Sequence, residues 1–173
     1  MVSNARILRC GEQAFSVEIA NEIDEAVNRR VIALAKDLKA DPPDGLVELV
    51  PSYRSLLVCF DPGRINSKAM EQALRDRLDR VHTPEESTGA LWHIPAVYGG
   101  EAGLDLDDLA REKGLSPREF IKLHSGTDYR IYMIGFSPGF CYLGGLPEAL
   151  HTPRLPQPRP NIPQGAIGIG GRQ

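Results

Sequence analysis

The stretch Tyr129-Arg130-Ile131-Tyr132-Met133-Ile134-Gly135-Phe136-Ser137-Pro138-Gly139-Phe140-Cys141-Tyr142-Leu143-Gly144-Gly145-Leu146 decides how the second half of this chain folds. Ile131 to Ile134 is a short apolar run of the kind that forms a buried strand, and it breaks into a Gly/Pro sequence that continues neither as a helix nor as a central strand. A loop must follow. Phe136, Phe140, Tyr142, Leu143 and Leu146 are too large and apolar to be left in water together, so the loop is expected to be packed. Two readings stand side by side: a packed loop covering the end of a sheet or barrel, and a substrate loop held on a rigid strand.

Upstream of this stretch, Leu91 to Val97 reads as a strand running into Tyr98-Gly99-Gly100, and Leu104 to Lys113 as a short helix stopped by Gly114. Ser116-Pro117-Arg118-Glu119 matches a capping box with proline at the first helical position, which predicts a helix from Pro117 to about His124. Only Arg118 and Lys122 are basic on that helix, too few for a DNA-reading helix-turn-helix. The polar stretch His82 to Gly89 is the expected linker, separating a domain over residues 1–85 from a second over residues 86–173.

The first domain reads as α+β. Ile7 to Cys10 and Ala14 to Ile19 predict a hairpin about Gly11-Glu12. Ile23, Val27, Val31, Leu34 and Leu38 recur at helical spacing, with Asn21 as expected N-cap and Asp41-Pro42-Pro43-Asp44-Gly45 as the stop. Leu46 to Val50 and Ser55 to Phe60 follow as strands. A second helix starts at Asn66 or Ser67 with Met70, Leu74, Leu78 and Val81 as its apolar stripe. Two helices interposed among strands suggest a ferredoxin-like layer of helices on one sheet.

The chain has 173 residues and a formal net charge of -3, with no run of Lys or Arg, so charge gives no reason to expect a nucleic acid or an anionic membrane as partner. Cys10, Cys59 and Cys141 are odd in number and widely spaced. With no signal peptide or membrane-length apolar run in the sequence, a cytoplasmic chain with reduced thiols is expected.

Gly135-Phe136-Ser137-Pro138-Gly139 satisfies the G-x-S-x-G pattern of a hydrolase nucleophile elbow, but the residue after the serine is Pro138, which has no N–H to give to an oxyanion hole. Cys141 has no base placed beside it and reads as a small buried group. Gly168-Ile169-Gly170-Gly171 lacks the Lys-Ser/Thr of a phosphate loop and fails the dinucleotide pattern at Gln173. His82, His93, His124 and His151 lack metal-site spacing, and no metal is expected. Pro153 to Pro160 reads either as a docking ligand or as a rigid segment presenting Arg154 and Arg159 to a carboxylate or phosphate.

The succession Ile94-Pro95-Ala96-Val97-Tyr98-Gly99-Gly100, Asp105-Leu106, Leu123-His124, Gly135 to Leu143, Pro153-Arg154, Pro158-Arg159 and Ile162-Pro163-Gln164-Gly165-Ala166-Ile167 resembles the KipI family. That family includes the B subunit of bacterial 5-oxoprolinase, long labelled allophanate hydrolase subunit 1, and half of the urea carboxylase carboxyltransferase domain. The resemblance implies a cyclophilin-like β-barrel after the first domain, and a heteromer with a homologous C subunit and an A subunit. It implies ATP as a co-substrate of that complex. On the same basis His124, Arg154 and Arg159 are the catalytic candidates, and Phe136, Ser137, Gly139, Phe140, Tyr142 and Gln164 the substrate-binding ones. A helix C-terminal histidine stabilised by the dipole is the plainer reading of His124. Other members of the family imply other readings: allophanate hydrolase, a urea carboxylase-type carboxyltransferase, or an inhibitor of a histidine kinase. Ala166 stands where many relatives have serine. The family continues for several strands past Gln173, so the barrel reads as truncated, with Ala166 to Gly170 an unpaired edge strand that would promote self-association.

Limited proteolysis of the full chain is expected to cut first between His82 and Gly89, where no apolar side chain anchors the backbone. Equal protection of that stretch would remove the linker.

Overall fold

In the computed structural model, which describes residues 5–82 and 89–173, the alternating apolar residues near the start of the chain become paired strands. β1 (Arg6–Arg9), β2 (Ala14–Glu18), β3 (Leu46–Pro51) and β4 (Ser55–Phe60) form one antiparallel sheet in the order β1-β2-β4-β3. Phe15 and Val17 of β2 and Leu56, Val58 and Phe60 of β4 point to one face and are buried, as the two-residue period of a strand requires. Helices α1 (Glu25–Ala40) and α2 (Ser67–Arg80) contribute Val31, Leu34, Leu38, Met70, Leu74 and Leu78 to the same core. The Phe15 and Phe60 rings stack at 5.5 Å.

Local chemistry explains where these elements start. α1 is capped by Asp24, not by Asn21: the Asp24 carboxylate accepts from Ala26 N at 2.8 Å and Val27 N at 3.1 Å. Ile23 therefore lies outside the helix and is exposed, although its spacing fits the stripe. α2 is capped by Asn66, whose side chain accepts from Ala69 N. Asn28 is a buried polar residue inside α1, and its amide donates to Ser52 O and Tyr53 O, tying the helix to the β3–β4 turn. Gly45 has φ +74°, and a Cβ there would lie 2.8 Å from Ile65 Cγ2, so the turn into β3 requires glycine.

The chain divides into two compact units, Met1–Gly89 and Ala90–Gln173; of the expected linker, Thr83 to Thr88 lie outside the described residues. The second unit contains α3 (Leu106–Glu112), α4 (Pro117–Ser125), and the hairpin of β5 (Arg130–Ile134) and β6 (Cys141–Gly144), with short 3-10 turns at Gly100–Ala102 and Glu148–Leu150. The capping box at Ser116 and Glu119 is formed. The core is small: Leu106, Ala110, Phe120, Leu146 and Leu150.

Several expectations fail here. Leu91 to Val97 forms no strand and Trp92 is 73% exposed; Pro95 removes a donor, and no described strand offers the backbone a ladder. Ala166 to Gly170 is likewise irregular, and only the isolated bridge between Thr152 and Gly171 pairs this region. α3 starts at Leu106 and not Leu104, because the chain folds back tightly before it: Gly103 N donates to Gly99 O at 3.0 Å. The described residues thus form a mixed α+β chain with a two-stranded second sheet and no closed barrel. No described helix is long and apolar enough to cross a membrane.

Leu34→Ala, at a fully buried position of α1, is expected to lower stability by about 2–5 kcal/mol in denaturant titration. Leu8→Ala, at a residue 41% exposed on the edge strand, should change it by less than about 1 kcal/mol.

Candidate functional site

Antiparallel pairing of Ile131 with Leu143 and of Ile134 with Cys141 carries the chain into a tight loop from Gly135 to Phe140. Gly135 N donates to Phe140 O at 3.0 Å and Phe140 N to Ser137 O at 3.0 Å, so the loop is closed by its own backbone. Phe136 lies at φ +63°, the left-handed region that a residue with a Cβ adopts only at a cost of about 1–3 kcal/mol. Gly139 follows at φ +79° without such a penalty. The strained backbone projects the Phe136 ring outward.

Phe136 is 89% exposed and Phe140 43% exposed, so the loop is not the packed one its composition suggests. The rings instead touch one another along the hairpin, Phe136 to Phe140 at 5.6 Å and Phe140 to Tyr142 at 5.0 Å, both edge to face. Only Leu146 reaches the core. Ser137 sits on this loop and not on a strand-to-helix elbow, and no hydrogen bond joins it to a histidine among the described residues. Cys141 is exposed rather than buried, with its thiol 3.5 Å from Gly139 O.

His124 occupies a second, more enclosed setting in the last turn of α4. Its Nδ1 is 2.6 Å from the Tyr98 hydroxyl, and the Tyr129 hydroxyl donates to its backbone oxygen at 2.9 Å. The Tyr98 ring meets the imidazole edge-on at 5.7 Å, and Tyr129 lies at 5.3 Å. Burial pushes the His124 pKa down and both tyrosine pKa values up, so all three groups are held neutral near pH 7.

The two arginines stand apart from both settings. Arg159 forms a bidentate pair with the Asp105 carboxylate, Nη1 to Oδ2 at 2.6 Å and Nη2 to Oδ1. The guanidinium hydrogen bonds hold the Asp105 carboxyl below its ordinary range. Arg154 is exposed, makes no ion pair among the described residues, and runs beside Gly170, where a Cβ would lie 3.3 Å from its Nε. Gln164 is exposed. No described contact joins His124 to Arg154, Arg159 or the hairpin loop. Sequence reasoning gave no role to Tyr98, Tyr129 or Asp105; Tyr129, five residues after His124, was the most accessible of the three to a local pattern.

The fold has solved counterparts. The crystal structure of TTHA0988 superposes with a TM-score of 0.78 and 34% identity, over 92% of this chain and 31% of that one. The Kluyveromyces lactis urea carboxylase superposes with a TM-score of 0.58 over 76% of this chain and 14% of that one; at 17% identity it shares the fold. Residues 5–173 match the family "Carboxyltransferase domain, subdomain C and D", and the chain belongs to that family.

Within it, the 5-oxoprolinase B subunit of Bacillus subtilis (strain 168) is 36% identical over all of this chain and 76% of its own length. The B subunit of the Escherichia coli O157:H7 enzyme is 36% identical over 99% of this chain and 78% of its own length. The Haemophilus influenzae one is 40% identical over 84% of this chain and 66% of its own length. The chain spans about three quarters of the first two and under a third of the TTHA0988 chain.

The His124 setting makes a pH prediction. Its depressed pKa means that the neutral form stabilises the fold above the ordinary value of about 6.5, and that this contribution is lost as pH falls through the lower folded value. Imidazole proton shifts are expected to report titration of His124 below 6.5, because burial disfavours the charged ring.

Proposed function

We propose that this chain is the B subunit of a 5-oxoprolinase, a complex that converts 5-oxoproline, ATP and water to glutamate, ADP and phosphate. Family membership across residues 5–173, with at least 36% identity to three 5-oxoprolinase B subunits, carries the reading. Its proposed partners are a homologous C subunit and an A subunit, and it is proposed to be inactive alone. The run β2-α1-β3-β4-α2 is read as ferredoxin-like with β1 paired to β2 at the sheet edge, and the hairpin with its following irregular segment is read as part of a cyclophilin-like barrel.

A lactam carbonyl is a poor electrophile, and ATP supplies the activation that turns its oxygen into a leaving group. The glycine-rich run Gly168 to Gly171 does not fit the phosphates of that nucleotide: it opens no helix, and the Arg154 side chain lies beside Gly170. We therefore assign the nucleotide to a partner in the complex. Within this chain, Arg154, which is exposed, is the proposed cation for developing negative charge, while Arg159 first has to leave Asp105. His124, neutral and hydrogen-bonded to Tyr98, is suited to accept or pass a proton. Phe136, Phe140 and Tyr142 with Ser137, Gly139 and Gln164 form the proposed substrate-facing surface. The exposure of Phe136 favours a second reading in which that loop contacts a protein, whether the C subunit or, in an inhibitor, a histidine kinase.

Reconstitution with the A and C subunits tests this. The complex is expected to release glutamate from 5-oxoproline with ATP hydrolysis, whereas urea and allophanate should give no product. Arg154→Ala should lower kcat about a hundredfold with assembly intact. Phe136→Ala should raise the KM for 5-oxoproline if the loop faces substrate, and weaken association with the C subunit while sparing kcat if the loop contacts that subunit. Turnover of urea or allophanate alone would reassign the substrate.

A further inference from the structure

Residues 152–171 leave the second core at Thr152 and return at Gly171, where two backbone bonds close the base: Thr152 N donates to Gly171 O at 3.1 Å and Gly171 N to Thr152 O at 2.6 Å. Between these ends every residue from Pro153 to Gly168 is exposed, and Ile169 is the residue that packs on the core. Among the described residues, the Arg159–Asp105 pair is the one side-chain hydrogen bond or ion pair that ties residues 153–165 to the rest of the unit. The contact spans 54 residues of sequence.

Asp105 precedes α3 at the N-cap, a position where an aspartate normally accepts from the first turn of its helix. Here it makes no such bond. Its two carboxylate oxygens both accept from the guanidinium instead. The pair is also open to solvent, with Arg159 40% and Asp105 42% exposed, and a second carboxylate can reach the same guanidinium fork from outside. Exchange of one carboxylate for another conserves the number of charge-assisted bonds while detaching the segment from α3.

We propose that residues 153–168 are a strap latched by Asp105, and that a small carboxylate which takes Asp105's place on Arg159 releases it. Asp105 is a positioning residue in this scheme. The proposal rests on the reading of Arg159 as an anion-binding residue and gives that reading a trigger: the carboxylate of an incoming acid opens the strap before Arg159 engages it. Arg154, on the same strap, would then change position with the acid bound.

The bond from Arg154 to Leu155 is a trypsin site within the strap, whereas Arg159 is followed by Pro160 and resists cleavage. Its rate of cutting in the full chain, read by mass spectrometry, follows the open population when opening is fast. Asp105→Asn is expected to raise that rate about two- to fivefold, the range set by a half-exposed ion pair. Arg159→Gln, placed outside the core, should do the same, and the exchanged pair Asp105→Arg with Arg159→Asp should restore the slow rate. With wild-type protein, 5-oxoproline and acetate should accelerate cutting relative to chloride at equal ionic strength, and Arg159→Gln should lose that response. A rate unaltered in both single variants, or one insensitive to carboxylates, overturns the proposal. Glutamate formation by the reconstituted complex is a separate readout, so the strap and the enzymatic reading can fail independently.

Discussion

A two-stranded sheet cannot shelter a core on its own, and the second unit depends on how it meets that constraint. Leu146 and Leu150, just past the hairpin, pack with Leu106 and Ala110 of α3 and Phe120 of α4. Burial of these side chains contributes about 1.5–3 kcal/mol for each large one, and it anchors both the hairpin and the chain leaving Thr152. Everything displayed by the unit hangs from this small cluster: the aromatic loop on one side of Leu146 in sequence and the strap on the other. The first unit has no such economy. Its four strands and two helices bury twelve apolar residues, so its stability does not hinge on one junction.

That difference in packing also separates what could be read from the sequence from what could not. The alternation in Ala14 to Ile19 and Ser55 to Phe60, the helical stripe of α2, and the capping box at Ser116 and Glu119 are local signals, and each appears in the structure as an element. α1 was legible as a helix, but Asp24 competed with Asn21 for the cap and won by reaching two backbone donors at once. Leu91 to Val97 and Ala166 to Gly170 misled because strand formation depends on a partner strand, which composition does not reveal. The family resemblance was legible in full, since it rests on residue order and not on contacts.

The site was legible in its parts. Phe136, Phe140 and Tyr142 are contiguous enough for one hairpin to gather them, whereas Tyr98 and His124 meet across 26 residues and Asp105 and Arg159 across 54. Burial decided the state of His124, and a carboxylate partner decided the state of Arg159; neither influence is visible from neighbours in sequence. The same two facts sort the candidate groups chemically. His124 is a neutral group in an aromatic enclosure, Arg159 an occupied cation and Arg154 a cation with room to move.

At Phe136 the backbone and the side chain want different residues. The left-handed geometry suits glycine, which would relax the turn, while the exposed ring is a large apolar surface that contributes nothing to the second core. A search for thermal robustness would replace it early, and the replacement would erase the most prominent feature of the molecule's outer face. Robustness and an exposed apolar ring thus pull in opposite directions on a single position, and this sequence has the ring.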